Sequence, residues 1–131
     1  MKVVLTITIS LLLSSIVIGQ TITEVTSREF KLMLEKRSKR RSVIVDGRST
    51  EMFNAGHIAN AVNIDAYSQE AGDELSKLKR NKTLYIYCTK INRVNQMVTT
   101  LERIGYKGNI VKMVDGITGW IANGFETTLG E

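Results

Sequence analysis

The sequence predicts a single α/β domain built on a central five-stranded, mainly parallel sheet with helices on both faces. From residue 20 onward, strand-like and helix-like segments alternate along the chain, which is typical of parallel sheets. Two strand-like segments, residues 42–46 and 84–88, are almost continuously apolar, as strands buried on both faces are. The length of 131 residues suits one domain and is too short for two.

The first half of the domain reads as strand, helix, strand, short helix and strand. Apolar or β-branched runs predict strands at residues 21–25, 42–46 and 61–64. Apolar side chains recur across residues 28–36 after a cap at Thr26 and Ser27, so an amphipathic helix is expected there. A short helix is expected to begin at Ser49 or Thr50 and to run through residue 53.

The second half contains the strongest signals of both kinds. A helix is predicted over residues 69–79 and a strand over residues 84–88. The helix over residues 92–104 has its apolar side chains at helical spacing: Val94, Met97, Val98, Leu101 and Ile104. A last strand at residues 109–114 and a last short helix at residues 117–122 complete the alternation.

Residues 1–19 are predicted to be a signal peptide that precedes the domain of residues 20–131. Lys2 gives a positive start, residues 3–18 are apolar apart from Thr and Ser, and small residues precede Gln20 at the expected cleavage point. The apolar stretch is short for a membrane span of about 20 residues, but an uncleaved N-terminal anchor remains an alternative. On either interpretation we expect an exported domain, periplasmic or secreted.

Cys88 is the only cysteine, so an internal disulfide is excluded and the domain must be held together by packing. In an oxidising compartment a free thiol is a liability unless it is buried or used. His57 is the only histidine, and one His with one Cys supplies too few ligands for a typical metal site. We therefore expect neither a metal nor another cofactor.

The net charge of +5 comes mostly from a basic run at residues 36–41. We interpret the run as a solvated turn whose cations favour the C-terminal end of the preceding helix. The alternative is a dock for nucleic acid or an anionic membrane. Because the run is short and contains no aromatic residue, we expect no nucleic-acid partner. Membrane contact is expected only if residues 1–19 are uncleaved, and the protein is expected to be a monomer.

Cys88 stands at the point where ligands bind in parallel sheets, outside the carboxyl end of a strand. It is followed by a loop into the clearest helix, made of Thr89, Lys90, Ile91, Asn92 and Arg93. Main-chain N–H groups of such a loop and of the helix N-terminus favour a thiolate or a bound anion, and Lys90 and Arg93 add positive charge. The alternative is an inert cysteine that fills the core.

Short motifs along the whole domain resemble those of one family. In the first half they are Val43-Ile44-Val45-Asp46-Gly47-Arg48, Phe53, Ala55-Gly56-His57-Ile58 and Ala61-Val62-Asn63-Ile64. In the second half they are Tyr85-Ile86-Tyr87-Cys88, Arg93, Leu101, Gly105-Tyr106, Asp115-Gly116-Ile117 and Trp120. In order and spacing these motifs resemble a rhodanese-like domain over residues 24–127, in an exported form of this single-domain sulfurtransferase family.

The resemblance implies a function as well as a fold of five mainly parallel strands. Cys88 would accept a sulfane sulfur from a donor such as thiosulfate and pass it from a persulfide to a thiol or cyanide-like acceptor. Residues 89–93 would form the loop around that sulfur, and Arg93 would bind the anionic donor. Asp46 and Arg48 match a supporting motif that is structural rather than catalytic, and the resemblance gives His57 a structural role too.

Several residues depart from the family pattern. Ile91 stands where members with this loop length commonly have Gly, and a β-branched side chain is costly if that position needs a positive φ. Val94 replaces a small residue, Ala59-Asn60 replaces Pro-Gly, and Asp115 replaces the first Gly of a Gly-Gly pair. These departures leave the fold prediction unchanged but bear on catalytic efficiency and donor choice.

Two other functions compete with sulfur transfer. Phosphatases and arsenate reductases of the same fold need five residues between the cysteine and the arginine of the loop, whereas only positions 89–92 separate Cys88 from Arg93. The second alternative is a non-catalytic binding or redox-accessory module. Cys88 together with Arg93 favours chemistry, whereas Ile91 favours the module.

Overall fold

The structure is a computed structural model and describes residues 19–130. The predicted signal peptide, apart from Gly19, lies outside the described residues. Across residues 19–130, no helix combines the length and the apolar character required to cross a bilayer.

Five strands form one sheet with the order β1-β5-β4-β2-β3, and every neighbouring pair is parallel. The strands are β1 Ile22–Val25, β2 Ser42–Asp46, β3 Ala61–Asn63, β4 Thr83–Tyr87 and β5 Ile110–Met113. The helices are α1 Ser27–Lys36, α2 Thr50–Ala55, α3 Ala71–Ser76, α4 Asn92–Arg103 and α5 Gly116–Ala122, with a 3-10 turn at Lys39–Arg41. The predicted α/β fold is confirmed.

Both faces of the sheet are covered, because successive strand residues point to opposite sides. Leu84 and Ile86 of β4 join a hydrophobic cluster with buried residues of α3 and α4. Tyr85 and Tyr87 of the same strand join a second cluster with α1 and α5. The continuous apolar run of β4 is thus explained by burial on two sides.

The sequence predictions differ from the structure mainly at α3. The helix extends only over Ala71–Ser76, whereas residues 69–79 were predicted. Its buried residues are Ala71 and Leu75, so packing supports little more than one turn, and residues 77–82, polar apart from Leu78, form turns instead. The start of α1 is fixed by a capping box: Thr26 Oγ1 accepts from Glu29 N, and a Glu29 carboxylate oxygen accepts from Thr26 N.

Parallel strands give the sheet two different edges. At one, here called the carboxyl edge, β2, β4 and β5 end and the chain enters α2, α4 and α5. At the other, the amino edge, the helices end and the strands begin. Loops at the carboxyl edge are the expected place for a ligand, and Cys88 lies there.

Candidate functional site

Cys88 follows the last residue of β4 and is 2% exposed. It belongs to the hydrophobic cluster shared with α3 and α4, where Val94 and Met97 of α4 are also buried. The thiol is free. A ligand that reaches Cys88 must therefore be small, or it must approach through the loop that follows.

The main chain of this loop has its carbonyl groups engaged elsewhere. The carbonyl of Cys88 accepts from Ile117 N at 2.9 Å, and that of Thr89 accepts from Thr118 N at 3.3 Å and from Thr118 Oγ1 at 3.0 Å. The carbonyl of Ile91 accepts from Asn95 N at 3.0 Å in the first turn of α4. The start of α5 thus holds the beginning of the loop.

The N–H groups of the same segment are free. Within residues 19–130, the main-chain N–H groups of positions 89–94 donate to no protein acceptor, and no side chain caps α4 at Ile91. A run of free donors at a helix N-terminus binds anions, because the helix dipole adds to the hydrogen bonds. The loop therefore presents a row of free N–H donors directly after the cysteine, an arrangement suited to an anion.

The predicted loop residues differ in their exposure. Lys90 and Asn92 are exposed, whereas Thr89, Ile91 and Arg93 are half-buried. Ile91 packs against the cluster that contains Cys88, and its φ is −131°. The position does not adopt the positive φ that would make a β-branched side chain costly there.

The guanidinium of Arg93 lies over an aromatic ring. Its Cζ is 4.9 Å from the ring centroid of Tyr67, and its Nε is buried without a hydrogen-bond partner among the described residues. Tyr67 itself is 59% exposed. Sequence reasoning missed Tyr67, because nothing in a turn-rich segment signals that its aromatic ring meets an arginine of another loop.

Asp46 and Arg48 form a buried pair next to Tyr87, the last residue of β4. Arg48 Nη2 donates to Asp46 Oδ2 at 2.8 Å and to the carbonyl of Gly56 at 2.6 Å, and Arg48 N donates to Asp46 Oδ1 at 2.9 Å. Asp46 is paired with Tyr87 in the β2–β4 register. The pair thus fixes the end of the strand that precedes Cys88, which is a supporting role.

Charges in this pair affect neighbouring groups. Burial alone would lower the pKa of Arg48, but its hydrogen bonds to Asp46 and the carboxylate charge outweigh burial and raise it. Burial, reinforced by Asp46, also raises the pKa of the Tyr87 phenol. The neutral Tyr87 hydroxyl accepts from Ile58 N at 2.9 Å. Arg48 and Tyr87 therefore each keep one charge state across the physiological range.

His57 stands apart from this chemistry. Its ring stacks on Phe53 with 3.7 Å between ring centroids, and its Nδ1 lies 3.0 Å from the main-chain carbonyl oxygen of Phe53. Its main chain exchanges two hydrogen bonds of 2.8 Å with Thr128. These contacts give His57 a structural role. In the described part of the chain, no three His, Cys, Asp or Glu side chains are grouped as metal ligands are.

Gly116 is a second residue whose role the sequence did not reveal. Its φ is +61°, and a Cβ at this position would overlap the carbonyl oxygen of Thr89. Only glycine combines this conformation with such a close approach. Asp115, the neighbouring departure from the family pattern, accepts from Ser27 N and Ser27 Oγ, both at 2.7 Å. The carboxylate ties α1 to the start of α5.

Comparison with known proteins gives one family. A family model described as "Rhodanese-like domain" matches residues 26–123. A curated tRNA uridine(34) hydroxylase from Pelagibacter ubique is 30% identical over 83 residues, which are 63% of this chain and 27% of that protein. The chain thus spans about a quarter of the length of the curated relative that it matches.

Solved structures agree with this match. A rhodanese-like domain protein from Staphylococcus aureus has a TM-score of 0.68 at 27% identity, covering 83% of this chain and 99% of its own. A rhodanese-related protein from Thermoplasma volcanium has a TM-score of 0.68 at 25% identity, covering 82% and 99%. A thiosulfate sulfurtransferase from Pseudomonas aeruginosa, at 16% identity, shares the fold with a TM-score of 0.65, covering 84% of this chain and 21% of its own.

Proposed function

Because the chain belongs to the family of rhodanese-like domains, we propose that it is a sulfurtransferase that carries sulfur as a persulfide on Cys88. The observation that carries the proposal is the run of free main-chain N–H groups at positions 89–94, directly after the cysteine. A thiolate, and then a persulfide anion, is what such donors stabilise.

The reaction has two displacement steps. The Cys88 thiolate attacks the outer sulfur of a donor such as thiosulfate, a new S–S bond forms, and sulfite leaves with the electron pair of the broken S–S bond. A thiolate or cyanide then attacks the outer sulfur of the persulfide, and the electron pair of the second broken bond returns to Cys88. Each step conserves atoms and charge and needs no other cofactor.

Arg93 is proposed to bind the anionic donor. It is the half-buried cation of the loop, and its contact with Tyr67 holds the guanidinium near the first turn of α4. Lys90 is exposed and adds positive charge on the solvent side of the loop that follows Cys88. The 2% exposure of Cys88 favours a small donor over a bulky one.

The name of the curated relative, a tRNA uridine(34) hydroxylase, raises tRNA as an alternative substrate. A tRNA that reaches Cys88 would need cations around the carboxyl edge, since phosphate contacts dominate affinity for nucleic acids. Lys90 and Arg93 are the cations of the Cys88 loop, while the basic run of residues 36–41 lies at the amino edge. We therefore propose small sulfur donors and acceptors.

The test is the mass of the intact protein. After incubation with thiosulfate the protein is expected to gain one sulfur atom, and cyanide or a thiol is expected to remove it. Cys88→Ser should abolish the gain and keep the fold, because the side chains are nearly isosteric. If the wild type gains no sulfur from thiosulfate, polysulfide or a persulfidated thiol, the protein is a non-catalytic module.

Arg93 supplies a second readout of the same proposal. Arg93→Ala should raise the thiosulfate concentration needed for half-maximal loading by about tenfold or more, the cost of losing one charge-assisted contact. Arg28→Ala, at the exposed start of α1, removes the same charge elsewhere and should leave loading unchanged. Equal effects of the two substitutions would mean that net charge, and not Arg93, attracts the donor.

We also propose that the domain is exported and works without residues 1–19. The support is the sequence, in which an apolar stretch follows Lys2 and ends in small residues before Gln20. N-terminal sequencing of the protein from its native host is expected to begin at or near Gln20. A mature chain that retains the stretch and sediments with membranes would replace cleavage by anchoring.

A further inference from the structure

The cations of the chain are concentrated at the amino edge. Two segments, residues 36–41 and 77–82, lie there together with Lys107, and this set is called the basic face. The basic face holds 10 of the 18 Lys and Arg residues, and neither of its two segments contains an Asp or Glu. Taken alone, the run at residues 36–41 is typical of a solvated turn, but the fold brings the cations of residues 77–82 next to it.

These charges lack counter-charges. The ion pairs of the described residues join Lys31 to Glu35, Arg48 to Asp46 and Lys112 to Glu24, so none includes a cation of the basic face. Like charges held together without counter-ions repel one another and favour an anionic partner.

The basic face is also concave. A cavity of about 510 Å³ between the 3-10 turn and the loop before β4 is lined by Arg40, Arg41, Lys79, Asn81 and Lys82. A second cavity of about 450 Å³ shares Asn81 and is lined by Arg80 and Lys107. No carboxylate lines either cavity.

The chain enters the fold through the same face. Gln20 Nε2 donates to the carbonyl of Tyr106 at 3.1 Å and to that of Gly108 at 2.7 Å, which fixes the first described residues beside Arg80 and Lys107. The apolar residues 3–18 directly precede this point. The first described residues of the chain therefore lie in the basic face.

We propose that the basic face docks the domain on a membrane surface rich in anionic phospholipid headgroups. Clustered Lys and Arg side chains are attracted to anionic headgroups by about 1 kcal/mol for each cation near the surface. Cys88 lies at the opposite edge, about 20 Å away at about 3.3 Å per strand residue, so docking leaves its loop open to solution. The two segments carry no aromatic residue on which bases could stack, which disfavours single-stranded nucleic acid.

The test is co-sedimentation with vesicles of phosphatidylcholine, alone or with about one third phosphatidylglycerol. Both the full chain and residues 20–131 are used, because the shorter chain contains the whole sheet and both hydrophobic clusters. Residues 20–131 are expected to bind only the anionic vesicles and to be released by salt. Binding to neither vesicle, or equal binding to both, would overturn the proposal.

Matched double substitutions distinguish binding by the basic face from attraction by the net charge of the whole protein. Arg80→Gln with Lys107→Gln should lower binding to anionic vesicles by about tenfold or more. Arg28→Gln with Lys31→Gln removes two charges of α1 outside the basic face and should change binding less than about twofold. Equal losses in the two variants, or tighter binding of the wild type to duplex RNA than to vesicles at equal salt, would overturn it.

Orientation gives an independent readout. In the Cys88→Ser background, a polarity-sensitive dye attached after Asn81→Cys should brighten on anionic vesicles, because position 81 lies in the basic face. A dye attached after Gln69→Cys, near the carboxyl edge, should stay unchanged. The reverse pattern would place the wrong edge on the membrane. Sulfur uptake in solution is independent of all these outcomes.

Discussion

At the residue scale, Ile91 shows how a departure from a family pattern is accommodated. The position has a φ of −131° and the side chain packs against the cluster that contains Cys88. Glycine is therefore not required for this loop, and the isoleucine contributes packing that glycine would not. The loop keeps its free N–H groups because they belong to the main chain.

Ile91→Gly is accordingly expected to weaken the protein rather than to improve it. Loss of the packed side chain and added backbone freedom should cost about 2–3 kcal/mol in free energy of unfolding, with no gain in the rate of sulfur loading. Ile91→Ala is the matched control, because it removes the packing and keeps the backbone restricted. Faster loading of the Gly variant than of the Ala variant would show that the loop needs a glycine conformation.

At the element scale, the loop is held by α5 rather than by its own residues. The carbonyls of Cys88 and Thr89 accept from the first turn of α5, and Gly116 allows the close contact. Asp115 in turn connects α5 to α1. The position of the cysteine loop thus depends on the packing of two other elements.

Substitution of Gly116 tests this arrangement. Gly116→Ala combines a positive φ with overlap at Thr89 and should cost about 2–4 kcal/mol of stability and slow sulfur loading. Gly124→Ala is the matched control, since Gly124 also has a positive φ, +77°, but a Cβ there has nothing within 4 Å. It should cost about 1 kcal/mol and leave loading unchanged. Equal loading rates in the two variants would show that the contact between Gly116 and Thr89 does not position the cysteine loop.

At the scale of the whole molecule, buried tyrosines link stability to alkaline pH. Burial raises the pKa of Tyr106 to about 12, and it also raises that of Tyr85 and Tyr87. Between pH 10 and 12 the unfolded chain loses phenol protons that the folded chain keeps. The folded state then binds more protons, so stability falls as pH rises through this window.

We expect denaturant midpoints to fall steeply from pH 10 to pH 12. Tyr106→Phe should flatten that fall, although it lowers stability at neutral pH because the hydroxyl donates to the carbonyl of Lys82. Tyr67→Phe, which removes a hydroxyl from a side chain that is 59% exposed, is the matched control. Parallel curves for wild type and Tyr106→Phe would rule out this contribution.

The sequence predicts those features of the fold and the site whose signals come from neighbouring residues. The alternation of apolar runs predicted the sheet, and the place of Cys88 between β4 and α4 predicted the loop, because both depend on neighbouring residues. Tyr67 over Arg93 and Gly116 against Thr89 join residues far apart in the chain, and no pattern within one segment reveals them. The basic face likewise needed the fold to bring residues 77–82 beside residues 36–41.

The pairing of β1 with β5 has a consequence for the order in which the parts of the chain fold. The first strand, Ile22–Val25, finds its partner only in Ile110–Met113, the last strand to leave the ribosome. Until then the nascent chain has no place for that strand, so the sheet closes late and at its edge. A chain whose sheet stays open until its synthesis is nearly complete is compatible with the export proposed above.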